Sequence, residues 1–167
     1  MTLIRVAAAS VAIVTTLLLQ ATVVAPAAPT AQLSLPAVLV AAVALQSGPG
    51  TGVSLGFTSG LIADLGSAHA AGLLSLCWMG VGICCGLLAD ERRRIVPQVL
   101  LAALAAAAAG ALTTLGLTVV GEPGGTVLAA VRGVLPSLAG NLALAALVVP
   151  LTRMLLRSDV LSMAGRG

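Results

Sequence analysis

Residues 90–120 read Asp90-Glu91-Arg92-Arg93-Arg94 and then IVPQVLLAALAAAAAGALTTLGLTVV, a charge run followed by a stretch from Ile95 to Val120 without one charged side chain. A bilayer crossing takes about 20 consecutive apolar residues, so this stretch is long enough to span. The three adjacent arginines mark the side on which it begins. The rest of the chain has the same character: 59% hydrophobic residues, 8% charged, mean hydropathy +1.16. A soluble domain carries about 25% charged residues because its surface faces water. With so few, the outer face is expected to meet lipid. The 167 residues allow one transmembrane domain of several spans, residues 1–167, and leave no room for a separate soluble domain.

Turn signals on either side of Ile95–Val120 divide the remainder into an all-α bundle of about six transmembrane helices. Span one is expected at about 4–24, ended by Pro26 and Pro29, since proline lacks the amide hydrogen that a helix interior uses. Arg5 with the small residues Ala25 to Ala28 partly resembles a secretory signal. However, the apolar run exceeds the 7–15 residues typical of such a segment, so a retained first helix is expected. Spans two and three, about 33–45 and 51–65, are separated by Gln46-Ser47-Gly48-Pro49-Gly50, a strong turn signal. Span four is expected at about 70–89, span five at 95–120, and span six at about 126–156 with Pro136 and Pro150 as kinks. Spans two and three are short, at about 20 Å for thirteen residues at a 1.5 Å rise. They either cross fully or form a re-entrant hairpin.

Orientation follows from the arginines, eight in all with no lysine, set against five carboxylates for a net charge of +3. Arg5 precedes span one, Arg92, Arg93 and Arg94 share one loop, and Arg153, Arg157 and Arg166 lie at or beyond the end of span six. An even number of spans puts all of them on one face, the cytoplasmic one by the positive-inside rule. That face then holds both termini whether or not spans two and three cross. The opposite face is left with Arg132, Glu122 and Asp64. These arginines form no broad solvated stripe suited to nucleic acid. The juxtamembrane group 90–94 is a topology anchor that can also attract anionic lipid headgroups.

Few residues are equipped for chemistry. Cys77, Cys84 and Cys85 fall inside one apolar stretch and read as small packing residues, not as a disulfide or zinc pattern. His69 is the single histidine and reads as a loop residue. Aromatic residues are Phe57 and Trp78 only, too few for an interfacial belt or a stacking pocket. No nucleophile elbow, zinc-protease helix or phosphate-cradling loop is present, so no catalytic role, metal or cofactor is expected.

The informative segment is Gly56-Phe57-Thr58-Ser59-Gly60-Leu61-Ile62-Ala63-Asp64-Leu65. Gly52, Gly56 and Gly60 recur every four residues and share one helix face, the small-residue device that lets another backbone approach closely. A carboxylate such as Asp64 costs about 2.5–3.5 kcal/mol at mid-bilayer and then has a partner; at a helix end the cost falls and it is a plain terminal residue. Both readings are open. Gln20 in span one and Asn141 in span six are uncharged polar residues in apolar helices, which hydrogen-bond across helix interfaces.

In the order of these features the chain resembles the rod shape-determining MreD family of bacteria. The matching residues are Leu19-Gln20, Leu33 to Val40, the Gly48-Pro49-Gly50 turn, and Gly56-Phe57-x-x-Gly60-Leu61-Ile62-x-Asp64-Leu65, with Gly72 and Asn141 fitting as well. The specific part covers about 20 residues; the scarcity of aromatics and the alanine-rich span five depart from the pattern. The resemblance implies a non-enzymatic membrane scaffold of the cell-elongation machinery, acting in cell shape and side-wall peptidoglycan synthesis. Implied partners are an MreC-like membrane protein, an MreB-like filament, a RodA-type glycosyltransferase and a class B penicillin-binding protein. The family's fold is similar to the substrate-binding component of energy-coupling-factor transporters. A vitamin-binding component is therefore the second expectation, weakly echoed by Ala8-x-x-x-Ala12, and a proton-coupled carrier a distant third.

Overall fold

Glycine, proline and serine punctuation sets the helix boundaries in the computed structural model, which describes residues 2–27, 32–67, 72–89, 94–121 and 126–164. They form six helices. Helix α1, Thr2–Leu19, continues through a π-helical turn, Gln20–Val24, into a last turn at Ala25–Ala27. Helix α2 is Leu35–Ser47, α3 is Pro49–Leu65, α4 is Leu73–Leu87, α5 is Ile95–Val120 and α6 is Val127–Ala164. Two segments, Ile95–Val120 and Ala130–Leu156, are long and apolar enough to cross a membrane, and Ser10–Val24, Leu35–Ser47 and Leu73–Leu87 are shorter apolar helical stretches.

The local causes are visible at each boundary. The Ser34 side chain accepts from the Ala37 amide at 3.3 Å and Pro36 fills the first turn, so α2 starts as a capped helix with a pre-set φ. It ends at Gly48, whose φ of +88° only glycine adopts without strain, and Pro49 opens α3 immediately. Gly121, at φ +77°, closes α5 in the same way. Pro136 and Pro150 both lie inside the continuous helix α6, which runs on to Ala164.

Helix α2 is the axis of the bundle. Ala37, Val38, Val40, Ala41, Ala42 and Ala44 have no exposed surface, and α2 touches α1, α3, α4, α5 and α6. A helix that is apolar on every side stays out of water either by facing lipid or, as here, by enclosure among other helices. The alanine run of α5 serves that enclosure: Ala102, Ala103, Ala106 and Ala109 are buried in the same cluster as α2, where a methyl group lets the backbones come close. The outward faces are apolar too. Leu18 on α1, Leu65 on α3, Leu76 and Leu87 on α4, Val96 and Leu104 on α5 and Leu135 and Leu147 on α6 are all exposed. The described bundle is thus apolar inside and out.

Candidate functional site

The segment singled out by its glycines builds a close backbone-to-backbone contact. Helices α3 and α4 run antiparallel, and a Cβ added to Gly52 would stand 2.6 Å from both the Ala44 Cβ and the Gly82 carbonyl oxygen. One added to Gly56 would strike the Trp78 carbonyl, and one added to Gly60 the Ser75 Cα. The contact is reciprocal: Cβ atoms on Gly82 and Gly86 would strike the backbones of Gly52 and Pro49. Gly82-x-x-x-Gly86 is therefore the partner of Gly52-x-x-x-Gly56-x-x-x-Gly60, a pairing within the chain that the sequence reading did not identify. The repeat of four on α4 was the available signal. Because Pro49 lies against Gly86, the α2–α3 turn stands at the C-terminal end of α4.

Asp64 ends that seam. It is 2% exposed, and its carboxylate accepts from the Leu74 amide at 3.1 Å, the Ser75 amide at 3.0 Å and the Ser75 hydroxyl at 2.7 Å. Helix α4 opens at Gly72, in the left-handed conformation at φ +97°, with no side-chain cap of its own. The first turn of any helix leaves amide donors without intrahelical partners. Here the preceding helix supplies the acceptor, and the carboxylate also lies at the positive end of the α4 dipole. Ser67 closes the turn by donating its amide and hydroxyl to the Asp64 carbonyl, at 3.2 and 3.0 Å. Of the two open readings of Asp64, the geometry combines parts of each: a helix-end residue that is buried and fully partnered.

Gln20 and Asn141 converge on a second place, the segment 32–35 that leads into α2. The Gln20 amide donates to the Leu33 carbonyl and accepts from the Leu35 amide, both at 2.8 Å. Asn141, with no exposed surface, accepts from the Ser34 amide at 3.2 Å and donates to Ser137 Oγ at 3.1 Å and to the Gln32 carbonyl at 3.5 Å. Ser137 adds a bond to the same carbonyl at 2.8 Å. The Gln32 side chain runs between α5 and α6, donates to Thr114 at 2.7 Å, and occupies space left by Gly110 and Gly133. Irregular backbone inside an apolar bundle has to be satisfied this way. Gln32, Ser137 and Thr114 escaped the sequence reading because their partners lie about a hundred residues away. At the other end of α2, Gln46 donates to Thr152 of α6 at 2.8 Å.

The remaining sequence candidates are separate from these clusters. Phe57 points away from the seam and is 48% exposed. Arg94 is exposed at the start of α5 and Arg153 is half-buried in α6. Arg157 belongs to the last turns of α6. His69, Asp90, Glu91, Arg92, Arg93, Glu122 and Arg166 lie outside the described residues. Cys77, Cys84 and Cys85 are free thiols on α4, and among the described residues no group of three His, Cys, Asp or Glu side chains comes together. No family model matches the chain, and no curated protein or solved structure matches it.

Proposed function

We propose that this chain is a multi-pass plasma-membrane scaffold of the MreD kind, with six spans and both termini in the cytoplasm. It would act in side-wall peptidoglycan synthesis beside an MreC-like protein, an MreB-like filament, a RodA-type glycosyltransferase and a class B penicillin-binding protein. The observation that carries the reading is where the interior polar groups go. Asp64, Gln20, Ser137 and Asn141 bind the chain's own backbone at two helix starts. Their hydrogen bonds hold a fixed shape, which is what a scaffold needs. A vitamin site needs convergent polar groups turned toward a ligand.

The exposed leucines and valines on α1, α3, α4, α5 and α6 support immersion in lipid, because soluble monomers rarely show apolar patches beyond a few hundred Å². The contact of Pro49 with Gly86 supports full crossing of α2 and α3. It sets their turn beside the end of α4 that leads to the arginine run. The test is a pull-down of the tagged protein from native membranes, read by mass spectrometry. Recovery of the MreC-like protein and the wall synthases is expected; recovery of a transport ATPase with a bound vitamin would replace this reading with the transporter one.

A further inference from the structure

Hydrophobic height differs sharply between two sides of the bundle. Helices α3 and α4 have 17 and 15 residues, about 26 and 22 Å at 1.5 Å per residue. Helix α5 has 26 residues, about 39 Å on the same rise. The hydrocarbon core of a typical bilayer is about 30 Å thick. On α4 the exposed large apolar residues run only from Leu76 to Leu87, and on α3 from Phe57 to Leu65, whereas on α5 they run from Ile95 to Val120. The outward face of α3 toward its start carries the hydroxyls of Thr51 and Ser54.

The short pair cannot lengthen. Its outer end is fixed by the Asp64 carboxylate on the α4 amides and by Gly72 in a left-handed conformation. The other end is fixed by Gly48 at φ +88° and by the Pro49–Gly86 backbone contact, with the charge run beginning at Asp90. Tilting would reduce its height further. A span shorter than the hydrocarbon core is met by thinning of the bilayer, by snorkelling of flanking residues or by oligomerisation, and thinning deforms a bilayer of short acyl chains least.

We infer that the outward face of the α3–α4 pair is a docking surface for a locally thinned bilayer, and that it selects short-chain lipids while the α5 face does not. The inference rests on the membrane reading above. The test reconstitutes the full chain in phosphatidylcholine vesicles and reads quenching by brominated phosphatidylcholines with 14- or 22-carbon chains. A tryptophan is placed on α4 by Ile83→Trp and, in a separate chain, on α5 by Leu104→Trp. The parent, whose single tryptophan Trp78 is 5% exposed, supplies the background, and Leu76→Trp repeats the α4 measurement should Ile83→Trp fail to fold. At the α4 positions the 14-carbon lipid is expected to be favoured about two- to threefold over the 22-carbon lipid, with a clearly smaller preference at Leu104. Equal preference on both faces overturns the inference. So does an unquenched α4 probe with energy transfer between labelled copies, which would mean that a second chain covers the face. Failure of the protein to float with vesicles of either chain length overturns the membrane reading beneath it.

Discussion

Replacing Asp64 with alanine removes the acceptor of three hydrogen bonds at a place where water does not substitute. Asp64 and Ser75 are 2% and 4% exposed, so the Ser75 amide would lose its partner without gaining solvent, and the half-buried Leu74 amide would lose its own. A buried donor left unsatisfied costs about 1–3 kcal/mol. The Ser75 hydroxyl can rotate toward another acceptor, whereas the two amides are fixed by the backbone, so the stranded amides dominate. The buried Ser75 amide accounts for about 1–3 kcal/mol and the half-buried Leu74 amide for a smaller amount, against the roughly 0.5–2 kcal/mol lost with an ordinary cap. Asp64→Asn keeps one acceptor oxygen and is expected to cost about 1–2 kcal/mol. Ser75→Ala loses one hydroxyl donor and should cost about 0.5–1.5 kcal/mol. Titration of the detergent-solubilised protein with dodecyl sulfate measures the order, followed by circular dichroism and by Trp78 fluorescence three residues beyond Ser75. If Asp64→Ala unfolds within about 0.5 kcal/mol of the parent, or if Ser75→Ala costs as much as Asp64→Ala, the carboxylate does not hold the start of α4.

Gly56→Ala should destabilise by at least about 1–3 kcal/mol, the usual cost of overpacking, because the new methyl meets the Trp78 backbone. Gly80→Ala, on the same pair of helices but with nothing within 4 Å of the added carbon, should be neutral or stabilise by up to about 1 kcal/mol; the same titration compares them. Gln20→Leu and Asn141→Leu act on one backbone segment, so their double-mutant cycle should show coupling of about 0.5–3 kcal/mol, whereas strict additivity would separate the two contacts. A reporter enzyme fused after Ser47 should give a cytoplasmic signal in cells. A signal from the opposite face would convert α2 and α3 into a re-entrant hairpin.

The number of helices was legible because this chain marks its ends with local chemistry. Gly48-Pro49 and Gly121 stand at helix boundaries in the structure, and each carries its turn signal within a few residues. The glycine face of α3 was legible as a close-approach surface for the same reason, being a repeat of four. What it approaches was not: Gly82 and Gly86 form an equally plain repeat, but no local rule pairs one repeat with another. The role of Asp64 depended on a gap, since Ala70-Ala71-Gly72 offers α4 no capping side chain and the missing acceptor comes from ten residues upstream. The π-helical turn at Gln20–Val24 had no sequence mark beyond Pro26 close behind it. Gln32 was the hardest to see, because the glycines that make room for it, Gly110 and Gly133, belong to helices far along the chain.

The cradle around residues 32–35 also orders events during synthesis. The start of α2 leaves the ribosome long before its acceptors and donors exist, since Ser34 waits 107 residues for Asn141 and the Gln32 carbonyl 105 residues for Ser137. Only Gln20 is already made. Until α6 emerges, the axial helix has an unfinished end and lacks one of the five helices that enclose it. Helix α6, made after the other five, therefore completes the polar contacts at the start of α2, and nascent chains that stop short of it should be the ones that quality-control proteases recognise.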